Sequence, residues 1–442
     1  MKIKSIEIKG LYGLYDHKIE LNRNEKIDII LGQNGIGKTT ILKLLYMLFN
    51  HQITQMKNIR FKEFVIEFDM GYCLIFKEIV KDTLFIDYEI YRSDINIHTL
   101  TSVIDTEARS CLQNLRDFMY DYSRYEDNCY IHKPSGKIMC FEETYYSVIA
   151  QQDVNEADIY PEWLSNLIGL ENVCLIEAQR LQTNIISQRS VFRRYEIENV
   201  CTLKVIATEL SGIISAAQQR YAEKSVELDE SYPYRLVENL ATSSSNSLSS
   251  QKTDIFELSK YRDRLIQAGL LGKKKWEEKE FVAKSRSPYI EKAISLYIQD
   301  SNAKFDVFRD ELERIERFMT LVNSRLLNKE IIVDKEKGLL VKVKNSTVFL
   351  ELDKLSSGEQ NLIILYYDLI FKYPKGALIL IDEPEISLHI AWQKRFVSEI
   401  KSIIKFRDLH VMIATHSPNL ISRYWSLTHE LDKDIIDNEF EN

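Results

Sequence analysis

The stretch that most constrains the fold of this chain is residues 32–39, which read Gly-Gln-Asn-Gly-Ile-Gly-Lys-Thr. This is the Gly-x-x-x-x-Gly-Lys-Thr pattern. An apolar run at residues 27–31 precedes it, and residues 40–49 follow with leucines at helical spacing. A strand, a glycine-rich loop and a helix in this order surround an anion with backbone N–H groups and the positive end of the helix. The pattern therefore predicts a nucleotide-phosphate loop. The alternative is a tight turn that happens to contain Lys-Thr.

The side chains of this loop have predicted tasks that follow from their chemistry. Lys38 is expected to reach the β- and γ-phosphates of ATP, and Thr39 to place its hydroxyl on Mg²⁺. The predicted nucleotide contacts from this loop are Asn34, Gly35, Gly37, Lys38, Thr39 and Thr40. ATP and Mg²⁺ are therefore the expected cofactors.

A second apolar run, residues 377–381, ends in Asp382-Glu383-Pro384 and is typical of a fully buried parallel strand. A carboxylate at the carboxyl end of such a strand is well placed to bind Mg²⁺, so Asp382 is a predicted metal ligand. Glu383 is the natural group to orient and polarise the attacking water, and we expect it to be catalytic. The alternative, a surface turn after a core strand, leaves the two neighbouring acids unexplained.

Two further segments complete the predicted site. Residues 409–414 form another apolar run that ends before His416, and a histidine at this edge of the sheet can hydrogen-bond a γ-phosphate. Residues 355–360, Leu-Ser-Ser-Gly-Glu-Gln, open a helical stretch, and the start of a helix attracts anions. The predicted contacts there are Ser356, Ser357, Gly358 and Glu359, with an ordinary capped helix as the alternative. Because this is a second helix start suited to phosphate, two chains are expected to sandwich one nucleotide.

Taken in order, these segments resemble the head domain of ABC-type ATPases. Residues 32–39 are similar to its Walker A motif, 355–360 to its signature, 378–383 to Walker B, 387–389 to the D-loop and 415–416 to the H-loop. Gln179 is the best match to the Q-loop glutamine, which contacts the nucleotide and Mg²⁺, ahead of Gln151 and Gln152. The resemblance implies an α/β fold. It would combine the core sheet of a P-loop NTPase, flanking helices, an antiparallel β subdomain and a helical, short coiled-coil-like insertion.

Within that class the chain resembles the RecF, Rad50 and structural-maintenance-of-chromosomes branch, because its signature has Ser-Ser-Gly-Glu-Gln and its insertion is long. Residues 380–389 and 414–418 are similar to bacterial defence ATPases, namely the AriA subunits of PARIS anti-phage systems and the PtuA ATPases. That resemblance implies an ATP-hydrolysing sensor and scaffold that forms a head-to-head dimer or a larger ring such as a hexamer. It also implies an AriB-like nuclease partner of the Toprim type, released when a phage-encoded trigger protein is sensed.

Two other functions stay open on the sequence. One is a DNA-repair or DNA-tethering ATPase of the RecF or Rad50 kind, and the other is the energy-coupling subunit of a transporter. The formal net charge of -8 argues against a chain that is basic throughout but leaves room for a local nucleic-acid groove. Residues 273–276, Lys-Lys-Lys-Trp, are one such basic and aromatic segment, although a short charge run is usually a solvated surface.

The motifs and patterns divide the chain into three predicted parts. Residues 1–190 carry Walker A and the Q-loop glutamine, 191–329 form a helical insertion, and 330–442 carry the remaining motifs. Apolar residues repeat every seven positions within 288–327, which predicts one long helix with a short coiled-coil seam. The segment around Leu203 is its predicted antiparallel partner, and an ordinary long core helix is the alternative.

Shorter patterns predict secondary structure elsewhere. Runs of β-branched and aromatic residues between 64 and 88 predict an antiparallel meander beside the nucleotide site. A helix is expected at 107–118, and two apolar runs around the polar residues 334–338 predict a hairpin.

Length and composition limit the number of domains and the cellular compartment that we expect. A chain of 442 residues exceeds what one core usually supports, so about two to three domains are expected. The six cysteines are scattered, which favours free thiols in a reducing compartment. No apolar run approaches the ~20 residues of a membrane span, and the start of the chain lacks an apolar signal-peptide core. We therefore expect a cytoplasmic protein without a membrane partner.

Overall fold

The computed structural model of this chain divides into two compact units. The first combines residues 1–178 with 373–442, and the second contains residues 179–372. The second unit thus holds the predicted helical insertion together with the segment 355–360. The residues that the structure describes are 3–22, 24–50, 52–56, 59–69, 72–78, 86–92, 95–100, 122–126, 129–132, 137–140, 172–178, 180–189, 194–241, 248–272, 287–386 and 388–431.

The elements are numbered in chain order. The strands are β1 (Ile3–Leu11), β2 (Tyr15–Glu20), β3 (Ile27–Leu31), β4 (Glu63–Phe68), β5 (Tyr72–Glu78), β6 (Ile86–Arg92), β7 (Ile95–Leu100), β8 (Tyr122–Glu126), β9 (Cys129–His132), β10 (Lys137–Cys140), β11 (Val173–Ile176), β12 (Gln182–Arg189), β13 (Arg194–Cys201), β14 (Lys329–Asp334), β15 (Gly338–Val343), β16 (Phe349–Leu350), β17 (Leu378–Asp382), β18 (His410–Thr415) and β19 (Thr428–Glu430). The helices are α1 (Lys38–Phe49), α2 (Ile53–Met56), α3 (Thr202–Ala241), α4 (Leu248–Gln267), α5 (Pro288–Phe305), α6 (Arg309–Asn323), α7 (Ser357–Tyr367), α8 (Ile390–Arg407) and α9 (Pro418–Ile421).

A five-stranded parallel sheet forms the centre of the first unit. Its strands are hydrogen-bonded in the order β11-β17-β18-β3-β19. β17 is buried along its whole length and β3 along most of it, as expected for strands that are covered on both faces. The α/β fold and the buried strands predicted from the apolar runs are confirmed. Because the strands are parallel, the segments that follow β3, β18 and β17 leave the sheet at the same edge.

The helix after the phosphate loop, α1, is held in the first unit by its apolar face. Leu42, Leu45 and Leu48 are completely buried and belong to one core with side chains of the two sheets. Their spacing of three residues keeps them on one side of the helix. Each buried leucine contributes roughly 1.5–3 kcal/mol to stability. The predicted helix is therefore confirmed, and it begins two residues earlier than expected, at Lys38.

An antiparallel sheet completes the described core of the first unit. Its strands follow the order β2-β1-β4-β5-β6-β7, so β4 to β7 form the predicted meander. Along β4, buried and half-buried residues alternate, which is typical of a strand with one face on a core. Strands β8, β9 and β10 form a separate three-stranded sheet. The predicted helix at 107–118 lies outside the residues that the structure describes.

One fully buried carboxylate, Asp28 in β3, joins three strands of the parallel sheet. Its Oδ2 is hydrogen-bonded to His410 Nε2 and its Oδ1 to His429 Nε2, each at 2.9 Å. The N–H of Asn22 donates to it as well, at 2.8 Å. Burial by itself would raise the pKa of Asp28, but these hydrogen bonds outweigh it and lower the pKa below its usual value. The charged form is therefore the one that stabilises the fold.

Replacing Asp28 by asparagine is expected to destabilise the protein in a pH-dependent way. A carboxyl whose pKa is lowered in the folded state stabilises the fold at any pH above its pKa in the unfolded state, which is near 3.9. This stabilisation is lost as the pH falls from there through the pKa in the folded state. At pH 7 we expect Asp28→Asn to cost about 1.5–3 kcal/mol, the range for hydrogen bonds to a charged group. The difference from the wild type should shrink below pH 4. Urea denaturation between pH 3 and pH 7 measures this.

The matched control is Asp408→Asn, which changes a surface carboxylate that pairs with Lys26. Exposed pairs contribute little, so this variant should follow the wild type at every pH. A loss in Asp28→Asn that is the same at pH 3 and pH 7 would contradict the stabilising role of the charge.

The second unit is built on the long helix α3, which runs antiparallel to α5 and α6. Three ion pairs show the antiparallel direction. As the residue number of the partner in α3 rises, the residue number of its partner in α5 or α6 falls. They join Arg220 to Glu311 at 2.6 Å, Asp229 to Lys304 at 2.7 Å and Arg235 to Asp300 at 2.9 Å. The predicted antiparallel partner for the heptad segment is thus confirmed.

The prediction of one continuous helix over 288–327 is wrong. α5 ends at Phe305, a 3-10 turn covers Asp306–Phe308, and α6 begins at Arg309. The rings of Phe305 and Phe308 both stack on Tyr221, with centroids 6.4 and 5.1 Å away. A 3-10 turn brings side chains three positions apart onto one side, so it lets both rings reach the same partner. The heptad residues are mostly buried, but as an interrupted core stripe.

The predicted hairpin is confirmed as β14 and β15, and β16 extends it to a three-stranded sheet. Gly338 at the start of β15 has a φ of +67 degrees, and a Cβ atom there would lie 1.8 Å from the carbonyl oxygen of Ala207. The backbone of α3 therefore packs directly on this sheet, at a position that only glycine allows.

Among the described helices, none combines the length and the apolar character needed to cross a membrane. The basic segment 273–276 lies outside the described residues.

Candidate functional site

The loop between β3 and α1 has the backbone shape that a phosphate site requires. Gly35 and Gly37 have positive φ angles of +87 and +99 degrees, where a residue with a side chain is strained. A Cβ atom at Gly37 would also lie 2.4 Å from Leu11 Cδ2. Gln33, Asn34 and Gly35 are exposed, and the N-cap residue of α1, Gly37, has no side chain with which to cap the helix. An uncapped helix start behind an exposed glycine loop fits a phosphate group.

The ammonium group of Lys38 lies inside this loop, and the residue is 4% exposed. It donates hydrogen bonds to the carbonyl oxygens of Gly32 at 2.8 Å and Gln33 at 2.9 Å. Burial lowers the pKa of Lys38, although the carboxylates of the 382–385 turn oppose this. Because these two carbonyl oxygens are neutral, the positive charge of Lys38 remains suited to an anion such as a triphosphate.

Two of the three predicted metal ligands, Thr39 and Asp382, are in contact. The Thr39 hydroxyl donates to Asp382, at 2.9 Å from Oδ1 and 3.0 Å from Oδ2. Burial raises the pKa of Asp382; the Thr39 hydrogen bond opposes the rise and the nearby charge of Glu383 adds to it. A hydroxyl beside a buried carboxylate is the oxygen donor set that Mg²⁺ prefers. These residues therefore fit a magnesium ion.

The predicted catalytic pair, Glu383 and His416, also meets at this edge. His416 Nδ1 lies 3.6 Å from Glu383 Oε1 and 3.2 Å from Glu385 Oε1. Glu383 has a left-handed backbone with a φ of +42 degrees, and its N–H donates to Ala414 O at 2.9 Å. A glutamate in this conformation carries a cost of order 1–2 kcal/mol, and such strain concentrates at functional sites.

The chain matches the family described as AAA ATPase domain (AAA_15) over residues 1–421. The match includes the phosphate loop, the acids after β17 and His416. The chain belongs to the AAA ATPase domain family. Membership accounts for a buried lysine, a glycine loop and a hydroxyl–carboxylate pair at one sheet edge, since a nucleotide and a divalent cation are what these groups suit.

Short segments of two bacterial proteins are similar to this AAA ATPase domain chain. The probable iron chelatin transport ATP-binding protein of Helicobacter pylori (strain ATCC 700392 / 26695) is 34% identical over 73 residues, which is 16% of this chain and 28% of that protein. The Septu protein PtuA of Bacillus thuringiensis is 35% identical over 83 residues, 19% of each chain. The chain thus spans less than a third of either relative.

Solved structures of Smc heads are similar at low identity. The Smc head of Pyrococcus furiosus, with an extended coiled coil and bound to the C-terminal domain of ScpA, is 13% identical, with coverage of 95% of this chain and 91% of that chain and a TM-score of 0.34. The SMC head domain of Thermotoga maritima is 12% identical, with coverage of 97% and 94% and a TM-score of 0.34. The family assignment rests on the domain match alone.

The segment predicted to be the signature of this AAA ATPase domain protein lies in the second unit, at the start of α7. Ser356 caps the helix by accepting from the Glu359 N–H, and Glu359 accepts in turn from the Ser356 N–H at 3.0 Å. Burial alone would raise the pKa of Glu359, but Lys329, 2.8 Å away, and the Ser356 donors lower it. The carboxylate of Glu359 is therefore engaged within its own unit, whereas Ser356 and Ser357 are exposed.

The structure describes the predicted D-loop in part and none of the candidate Q-loop glutamines. Gln179, its alternatives Gln151 and Gln152, and Ser387 lie outside the described residues. The rest of the predicted D-loop is visible: Leu388 is buried, and the side chain of His389 caps α8 by accepting from the Ala391 N–H at 3.2 Å. The Q-loop and D-loop assignments stay predictions, as does contact of Gly358 with a nucleotide.

The structure adds three residues that the sequence patterns did not single out. Glu385 is buried beside His416. The hydroxyl of Tyr12 shares a hydrogen bond of 2.9 Å with Thr40 Oγ1, and His17 Nε2 lies 2.9 Å from the carbonyl oxygen of Ile36. The two latter residues brace the phosphate loop from the β1–β2 hairpin. Proximity to Asp382 in sequence was a signal for Glu385, whereas nothing local links the hairpin to the loop.

Proposed function

We propose that this chain binds ATP with Mg²⁺ and hydrolyses it at the carboxyl edge of the parallel sheet, in the manner of ABC-type ATPases. The proposal rests chiefly on the 2.9 Å hydrogen bond from the Thr39 hydroxyl to Asp382. It joins two magnesium-type ligands from opposite ends of the chain beside a buried lysine and an uncapped helix start.

Each residue that the sequence patterns named at this sheet edge has a proposed task. The loop residues Asn34, Gly35, Gly37, Lys38 and Thr40 bind the phosphates. Thr39 and Asp382 hold Mg²⁺, with Gln179 as a third ligand. The chemistry that the ion supplies is neutralisation of charge on the phosphates. Glu383 accepts a hydrogen bond from the attacking water, and His416 contacts the γ-phosphate.

We propose further that ATP lies between two copies of the chain, as a head-to-head dimer or within a larger ring such as a hexamer. Ser357 and Gly358 of one copy would complete the site of the other. The exposure of Ser356 and Ser357 at the start of α7 supports this, because helix starts attract anions. A shared site would make association of the copies depend on ATP.

Mixing two inactive variants is the experiment that tests the shared site. Lys38→Ala removes the phosphate lysine, and Ser357→Arg blocks the signature face, so each variant alone is expected to lose ATPase activity. A mixed dimer keeps one intact site, formed by Lys38 of one copy and Ser357 of the other. We therefore expect mixing to restore phosphate release, and light scattering to show ATP-dependent doubling of mass for the wild type.

Ser215→Arg is the matched control, because Ser215 is an exposed serine on α3 of the same unit. This variant should keep its activity and its association. Normal ATP hydrolysis by Ser357→Arg alone would refute the shared site. So would mixed Lys38→Ala and Ser357→Arg chains that associate with ATP but stay inactive.

The cellular role that we propose is an ATP-gated sensor and scaffold in an anti-phage complex. Support comes from the resemblance of residues 380–389 to defence ATPases and from the 35% identity to Septu protein PtuA over 83 residues. The proposed partners are an AriB-like Toprim nuclease and a phage-encoded trigger protein. Co-purification with a Toprim nuclease encoded beside it, and release of that nuclease on addition of a trigger, would support the role. A locus without such a neighbour would count against it.

Two competing functions have their own hallmarks. The transporter alternative is favoured by the 34% identity over 73 residues to the probable iron chelatin transport ATP-binding protein, and co-purification with a membrane protein would establish it. The DNA-repair alternative predicts DNA-stimulated ATP turnover that weakens steeply with salt, because phosphate contacts release counterions.

A further inference from the structure

The proposed function leaves one residue of the site without a task, Glu385. It lies in the turn between β17 and α8, two positions after Glu383, and only 6% of its surface is exposed. Backbone hydrogen bonds close this turn, from the Ile386 N–H to Glu383 O at 3.1 Å and from the Leu388 N–H to Glu385 O at 2.9 Å. A glutamate is rarely buried this deeply unless its carboxylate has specific partners.

One carboxylate oxygen of Glu385 holds the end of β18. Oε1 accepts from the Thr415 hydroxyl at 2.6 Å and from the His416 N–H at 2.9 Å. The same atom lies 3.2 Å from His416 Nδ1. A single buried oxygen therefore contacts both the backbone and the ring of His416.

The other carboxylate oxygen of Glu385 has no partner, in the part of the chain that the structure describes, that would draw the carboxylate away from the imidazole. Glu385 Oε2 is buried and has no hydrogen-bond partner among the described residues. The His416 side chain is 44% exposed, so packing alone does not fix its ring. With Glu383 Oε1 3.6 Å from the same Nδ1, the ring is within ion-pair distance of two carboxylates, of which only Glu385 is deeply buried.

We propose that Glu385 is a positioning residue that acts through His416. It fixes the imidazole beside Glu383, so that the two side chains approach the reacting phosphate and water in one arrangement. The inference rests on the proposed ATP hydrolysis, in which His416 contacts the γ-phosphate. Glu385 itself is assigned no contact with nucleotide or metal.

A double-mutant cycle with His416 tests this assignment. We expect Glu385→Ala to lower kcat about 10- to 100-fold, the typical cost of a displaced catalytic group, while the dissociation constant of ATP stays within about twofold. Glu385→Gln keeps an accepting oxygen and should lose less. In a His416→Ala background, Glu385→Ala should lower kcat by at most about twofold, because the group through which it acts is gone. Equal losses in both backgrounds would overturn the proposal.

The position of the ring can also be measured without turnover, from the imidazole NMR signals of His416 in the nucleotide-free protein. Glu385→Ala should displace and broaden them. Thr415→Val removes the hydroxyl that donates to Glu385 Oε1 but keeps the Glu385 carboxylate. It controls for the stability lost with a hydrogen bond at this site, and the ring signals of His416 should stay in place. Unchanged signals in Glu385→Ala would overturn the positioning role. Displaced signals in a chain that does not hydrolyse ATP would support positioning and refute the proposed function instead.

Discussion

Lys38→Ala is expected to weaken ATP binding by about 30-fold or more, because losing one partner of a buried charge pair costs roughly 2–5 kcal/mol. Lys38 is the cation of the phosphate loop, and the residue is 4% exposed. Titration of the purified chain with ATP and Mg²⁺ in a calorimeter measures the loss. The fold should survive, since the change removes an ammonium whose pKa is lowered by burial, and such a charge is costly to bury.

Lys18→Ala is the control for this experiment. Lys18 is an exposed lysine on β2, and its ion pair with Glu20, at 3.7 Å, is a surface contact. Pairs of this kind contribute little, so ATP affinity should match the wild type. An unchanged affinity in Lys38→Ala would remove the phosphate loop from the proposed site.

Glu383→Gln is expected to separate binding from turnover. The variant should bind ATP within a few-fold of the wild type but release phosphate at least about 100-fold more slowly, the lower range for loss of a general base. Glutamine has the same shape as glutamate, and at this position it must adopt the same left-handed backbone conformation, with a φ of +42 degrees. The backbone strain is therefore the same in the variant and the wild type. Phosphate release at saturating ATP, with a separate binding titration, measures the two effects.

Glu25→Gln provides the comparison, because Glu25 is a half-exposed glutamate that pairs with Lys401 at 2.6 Å. Its turnover should equal that of the wild type. If Glu383→Gln also turned over at the wild-type rate, Glu383 would lose the water-orienting role and the proposed mechanism would need another base.

Much of the fold could be predicted because its signals are local. The strands β3, β17 and β18 are apolar runs bounded by polar residues, and the glycines before α1 predict a loop followed by a helix. The β14–β15 hairpin carries a turn-forming segment between two apolar runs. Each of these signals lies within about ten residues, so it needs no knowledge of what packs against it.

The failures came from interactions between distant residues. A heptad pattern cannot reveal that Phe305 and Phe308 both stack on Tyr221, yet that shared partner accompanies the break between α5 and α6. The contact of Asp28 with His410 and His429 was equally invisible, because both histidines belong to the far end of the chain.

The sequence by itself determined the chemistry of the candidate site: a glycine loop with a lysine and a threonine, two acids after a buried strand, and a histidine after another. Tertiary structure alone decided which of these groups touch. The strand order β17-β18-β3 brings the Thr39 hydroxyl to Asp382 across 343 positions of sequence. The same order buries Glu385 against His416. Residue types carry chemical capacity locally, but hydrogen-bond distance and burial depend on how parallel strands from both ends of the chain pair in one sheet.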